Sequence, residues 1–237
     1  MQTRPRIAVL VSLLAALLFA AALTAGCSSS DKKADAALPD AATLLKESNA
    51  TTTAKQSVHL QLTVNGEIKE LPIASLTGDL TNKPAVAAQG KADIVFLGQK
   101  LEGVDFVVAD GNLYGAITPN SWQDFGPAAD IYDVSAILSP DKGLANVLAN
   151  FADPKTDGRE TVNGVDTVKI SGTVSADAVN KISPQIGATG PVPATAWVQE
   201  DGDHELVQAK LEPTPGNSVQ MTMSDWGKSV TVTKPAV

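Results

Sequence analysis

The chain has 237 residues with 18 Lys or Arg against 26 Asp or Glu, and 43% of it is hydrophobic, enough for a sizeable core. The acidic balance excludes sequence-independent nucleic-acid binding, which needs a basic patch. One cysteine excludes an internal disulfide.

In chain order, the first segment is Ile7 to Leu23, 17 uncharged and mostly apolar residues behind Arg4 and Arg6, the pattern of an export signal. The string Leu23, Thr24, Ala25, Gly26, Cys27 resembles the bacterial lipobox, with Thr24 standing where Leu, Val or Ile is commoner. Cys27 is therefore expected to carry a diacylglyceryl thioether and an N-acyl chain; a secretory signal cleaved nearby, leaving a free thiol, is the competing reading. Removing residues 1–26 leaves 211 residues with 16 basic against 26 acidic side chains, a net charge of −10. No apolar run in them reaches the roughly 20 residues a spanning helix needs. Membrane residence then rests on the acyl chains, at about 0.8 kcal/mol per buried CH₂. Residues 27–39 read as the lipidated cysteine and a flexible polar tether. Its twelve residues from Ser28 to Pro39 span about 20 Å root-mean-square. The expected location is the periplasmic, extracytoplasmic side of the inner membrane, with residues 40–237 as one domain. Ser28 to Ser30 and Thr51 to Thr53 are candidate O-glycosylation sites.

Asp40 is a plausible N-cap for a helix through Leu44 and Leu45, but Thr51 to Thr53 weaken it and predict an end before Ser57. Val58, Leu60, Leu62 and Val64 then alternate with polar residues, the signature of a half-buried strand, and Asn65 and Gly66 mark a turn. Further strands are predicted over 73–80, 90–97, 104–109 and 113–118, with Asp110, Gly111 and Asn112 as a tight hairpin loop. Between Asp133 and Phe151 apolar residues recur at helical spacing with a break at Ser139 and Pro140, which gives two short helices. A strand over 165–174 follows an Asn163, Gly164 turn, and a third helix starts at Ser175. Four more strands are predicted over 194–200, 205–212, 219–224 and 229–233. Strands in two runs with helices gathered between them predict an α+β domain with an antiparallel sheet.

Motifs for chemistry are sparse. Ser139, Pro140, Asp141, Lys142 has Ser-x-x-Lys spacing, but its Ser-Asp-Asn and Lys-Thr-Gly companions are missing and no Gly-x-Ser-x-Gly elbow occurs, so a capped loop is the better reading. His59 and His204 are too few for a transition-metal site, and Asp201, Gly202, Asp203 is too short for a calcium loop. Both histidines read as solvated, and Asp130 with Asp133 as a solvated loop. Trp122, Trp197 and Trp226 read as core plugs. Neither a catalytic residue, a metal nor a cofactor is expected.

Longer strings carry more information. Ser121 to Asp133 (SWQDFGPAADIYD), Gly143 to Phe151 (GLANVLANF), Pro191 to Thr195, Gln199 to His204 and Gly216 to Thr222 resemble the mycobacterial LppX/LprAFG lipoprotein family, and the likeness spans nearly the whole mature chain. Ala85 to Gly103 departs from it with a small insertion. The resemblance implies a curved antiparallel sheet, a half-barrel whose concave face is closed by helices around an apolar cavity. It also implies triacylated ligands (triacylglycerol, phosphatidylinositol mannosides, lipomannan, lipoarabinomannan), a non-enzymatic carrier function and a membrane efflux permease as partner. Alternation and the resemblance together place Val58, Leu60, Leu62, Val64, Ala92, Ile94, Phe96, Phe106 and Val108 on the cavity wall. A lipid-processing esterase and a passive adhesin or signalling lipoprotein are the alternatives.

Overall fold

Asp40 opens the first helix: its carboxylate accepts from the Thr43 hydroxyl at 2.7 Å and the Thr43 N–H at 2.8 Å. Those two bonds hold it below the usual carboxylate range. The computed structural model describes residues 37–68, 71–96 and 98–237, and Leu38–Val237 is one compact unit. The export signal, Cys27 and the tether up to residue 36 lie outside the described residues. Helix α1 spans Ala41–Ala54, includes all three threonines and ends before Ser57, as the sequence predicts. Ala41, Leu44, Leu45, Ser48 and Thr52 form its buried stripe, packed on helix α2 (Leu144–Ala149). Burial of that stripe outweighs the poor propensity of three threonines. It also removes Thr52, 3% exposed, from the candidate glycosylation sites.

Eleven antiparallel strands form one sheet: β1 (Ser57–Asn65), β2 (Ile73–Thr81), β3 (Ala87–Phe96), β4 (Gln99–Ala109), β5 (Asn112–Thr118), β6 (Ser121–Pro127), β7 (Phe151–Val162), β8 (Val165–Val174), β9 (Val192–Gln199), β10 (Leu206–Thr214) and β11 (Asn217–Ser224). Their spatial order is β6-β5-β4-β3-β2-β1-β11-β10-β9-β8-β7, so two meanders meet along the β1–β11 pair. Asp110 with Gly111, and Asn163 with Gly164, hold positive φ at both turn positions and close two-residue hairpins whose twist matches the strands.

Two strands went unpredicted because they break the rules for central strands. The edge strand β7 contains Pro154 and Gly158, with register shifts beside both, and the edge strand β6 carries Gly126 and Pro127. Proline and irregular register are tolerated where one side of the ladder is free. Three other expectations are corrected. The first mid-chain helix is a 3-10 segment, Val134–Leu138; Phe151 begins β7 instead of ending a helix; and residues 229–233 form no strand. That last stretch packs by side chains on the outer face of the sheet: Val232 meets the small cluster of Val107, Ala109, Tyr114 and Trp122, and Lys234 sits 5.3 Å from the Tyr114 ring centre.

The inner face is filled unequally. Over β7 to β9 it is covered by α1, α2 and helix α3 (Ala176–Ile182), against Ile170, Ala194, Ala196 and other buried residues. Over β1 to β5 no α-helix lies on it, and a space remains.

Candidate functional site

Register shows how that space is built. One inner row runs Met221, Leu62, Leu76, Ala92, Val104 across β11, β1, β2, β3 and β4. The next row runs Leu60, Gly78, Gly90, Phe106, Gly115, and a third Val58, Leu80, Ala88, Val108, Leu113. Small residues occupy the middle of these rows. At Gly78 an added Cβ would lie 2.3 Å from the Gln89 carbonyl oxygen, and at Gly90 2.1 Å from that of Thr77, so the backbones of β2 and β3 crease towards each other here. A flat sheet of eleven strands would be about 50 Å wide at ~4.8 Å per strand. Yet residues from Phe125 on β6 to Leu211 on β10 line the same cavity, so the sheet curves around it.

The cavity measures about 490 Å³, within the ~300–1,000 Å³ of small-molecule sites. Its roof is the chain after β6 (Ala128 to Ile137) and the chain at the end of α3 (Ile182 to Ile186). Tyr132 Oη donates to the Ile182 carbonyl at 2.8 Å, and Gln185 Nε2 to the Ile131 carbonyl at 3.1 Å, which ties the two roof segments together. Burial above all, and the Asp133 charge after it, push the Tyr132 phenol up, so it stays a neutral donor across the physiological range. Tyr132→Phe would strand the Ile182 carbonyl, and a loss of about 1–2 kcal/mol in urea unfolding is the expected result.

Only four lining residues carry polar groups on their side chains, Asp79, Tyr132, Ser183 and Gln185; the Tyr132 hydroxyl is spent on the Ile182 carbonyl, and the Asp79 carboxylate is engaged on the outer face by His59 Nδ1 at 2.7 Å. Such a cavity can hold an apolar chain but has almost nothing to bond a polar head, which must stay at the mouth.

Of the wall residues expected from alternation, the structure puts Leu60, Leu62, Ala92, Ile94, Phe96, Phe106 and Val108 on the cavity. Val58 and Val64 are corrected: they share the inner phase of β1 but lie beyond the two ends of the space. Val58 is wholly buried in the packed core, and Val64 sits past the last β1–β2 pair. Val95 is an addition, brought to the wall because a register shift after Ala92 interrupts the alternation. The roof residues were missed as well, although Ile131 and Ile186, bare apolar residues in irregular chain, were a usable signal.

The remaining motifs do structural work. Asp133 accepts from the Ser135 N–H and hydroxyl as a cap; Trp197 donates to Glu160 at 2.6 Å and Trp226 to the Leu206 carbonyl at 2.9 Å. Ser139 to Lys142 is a loop closed by the Gly143 N–H on the Ser139 carbonyl. His59 and His204 are half-buried, the latter 3.5 Å from Glu47. No group of three or more His, Cys, Asp or Glu suited to a metal occurs among the described residues.

A family model described as the LppX_LprAFG lipoprotein matches residues 40–232. The chain belongs to that family. Over all 237 residues it is 63% identical to the lipoarabinomannan carrier protein LprG of Mycolicibacterium smegmatis, covering both chains completely. The solved structure of LprF from Mycobacterium bovis superposes with a TM-score of 0.77 at 31% identity, over 84% of this chain and 99% of that one. LppX from Mycobacterium tuberculosis superposes with a TM-score of 0.64 at 28% identity, over 81% and 97%. The LppX/LprAFG fold is thus the open, curved antiparallel sheet with helices on its inner face that the resemblance implied.

Proposed function

We propose that this protein is a non-enzymatic lipid carrier that shelters the acyl chains of a triacylated lipid or glycolipid in its cavity. The observation that carries the reading is the apolar cavity open at an apolar mouth. The name of its relative in M. smegmatis supports lipoarabinomannan as one cargo, and triacylglycerol, phosphatidylinositol mannosides and lipomannan share the same acyl chemistry. Each CH₂ of a chain crossing water costs roughly 0.8 kcal/mol, so a walled cavity lowers the barrier to transfer without making or breaking a bond. In this reading Cys27 is acylated and holds the domain on the periplasmic side of the inner membrane by a tether. Cargo moves from there towards the outer envelope, and a membrane efflux permease is the partner.

Mass spectrometry of lipid co-purified with the protein from its native host tests the proposal. Acylated lipid at near one-to-one occupancy is expected; protein free of acyl lipid, or one that turns over an ester, would overturn it. Cys27→Ser tests the anchor: by intact mass the variant should lack the acyl chains that the parent carries, while melting at the parent's temperature. A parent whose mass shows no acyl chain on Cys27 counts against acylation.

A further inference from the structure

We infer that the mouth of the cavity is a membrane-docking rim, which seats the domain on a bilayer by inserting apolar side chains from three separate segments. The inference rests on the carrier reading. Val95 and Phe96 at the end of β3, Phe125 on β6 and Ile131 after it are 49%, 41%, 37% and 48% exposed, and all four also line the cavity. Of the seven large hydrophobic side chains exposed among the described residues, these four surround one opening, whereas Leu38, Val86 and Val237 lie elsewhere in the chain. Exposed apolar side chains scattered singly need no explanation, but a ring of them continuous with a cavity does.

The continuity favours a bilayer as the occupant. An acyl chain leaving a membrane through this ring meets apolar surface all the way to Ala92 and never crosses water. A second copy seated on the same ring would seal the mouth. On the β3–β4 side Lys100 and Glu102 pair at 2.8 Å and cancel, while the exposed Asp130 and Asp133 beside Ile131 and Asp124 beside Phe125 leave acidic groups at the rim, which suits a zwitterionic surface and disfavours an anionic one. The rest of the chain permits it too. Residues 28–38 extend at most about 40 Å, and a 200-residue domain has a radius of gyration of about 16 Å, so an anchored domain can turn its mouth to the membrane that holds it.

Docking of this kind depends on buried apolar surface and not on lipid charge. The test uses the soluble Cys27→Ser protein in flotation with phosphatidylcholine vesicles, at low and high salt. The parent should float equally in both. Val95→Asp with Phe96→Asp, and separately Ile131→Asp, should each reduce the floated fraction at least tenfold while keeping the parent's melting temperature; two segments are used so that a folding defect in one leaves the other decisive. Ala92→Trp, deep in the cavity, should float like the parent. Rim variants that float as well as the parent, a parent that floats only on anionic vesicles at low salt, or a rim that forms a dimer instead would overturn the inference. A parent that floats but never carries acyl lipid would instead overturn the carrier reading and leave the docking result standing.

Discussion

Ala92→Trp is expected to fold, to melt close to the parent and to carry at least tenfold less lipid. Ala92 lies in the inner row between Leu76 and Val104 and faces the cavity. An indole there grows into open space. Its cost should fall below the ~1–3 kcal/mol of overpacking a solid core, while it removes room an acyl chain needs. The control must face outward on the same strand. Asp93 is unsuitable: its carboxylate accepts from the Gly103 N–H at 2.8 Å and the Ser75 hydroxyl at 2.9 Å, bonds that hold it below the usual range, and replacing it would cut both. Lys91→Trp removes only an exposed pair with Asp105, worth at most about 1 kcal/mol. Equal lipid loss in the two variants, or equal retention, would sink the assignment of the wall.

The largest stability effect is expected at the crease. Gly90→Val should lose more than about 3 kcal/mol and with it the cavity, because its Cβ would lie 2.1 Å from the Thr77 oxygen and 2.7 Å from the Gly78 Cα. Both are backbone atoms, so no side-chain rotation relieves the clash. Gly190→Ala is the matched control, since nothing lies within 4 Å of its added carbon and its φ is not in the left-handed region. Urea midpoints for the two variants decide the matter, and a Gly90→Val midpoint equal to the parent's would show that the crease opens freely.

Much of this was legible in the sequence where one period dominates. β1 and its alternating face, the Asp110 and Asn163 hairpins and the caps at Asp40 and Ser175 follow from local rules, and the family strings supplied curvature and cavity. What stayed hidden depends on non-local partners. β7 is a strand because an edge forgives Pro154, and 229–233 alternates without a ladder because its partners are side chains of the outer face. The limits of the cavity were hidden for a related reason. Val58, Leu60, Leu62 and Val64 are indistinguishable by alternation, and only the position of the roof decides which of them face the space.

The β1–β11 seam has a consequence for how the molecule comes into being. Each meander assembles from neighbours joined by short loops, contacts that close quickly; the seam joins His59 to Ser224, 165 positions apart. A chain delivered N-terminus first exposes β1 long before β11 exists. Until then the inner side of Leu60 and Leu62 has β2 on one flank and no partner on the other, an uncovered strand of the sort that aggregates. Met221 and Val219, which complete the wall, come from that last strand. The compartment for cargo therefore cannot exist before synthesis and delivery are finished, and loading is necessarily a late event in the life of each molecule.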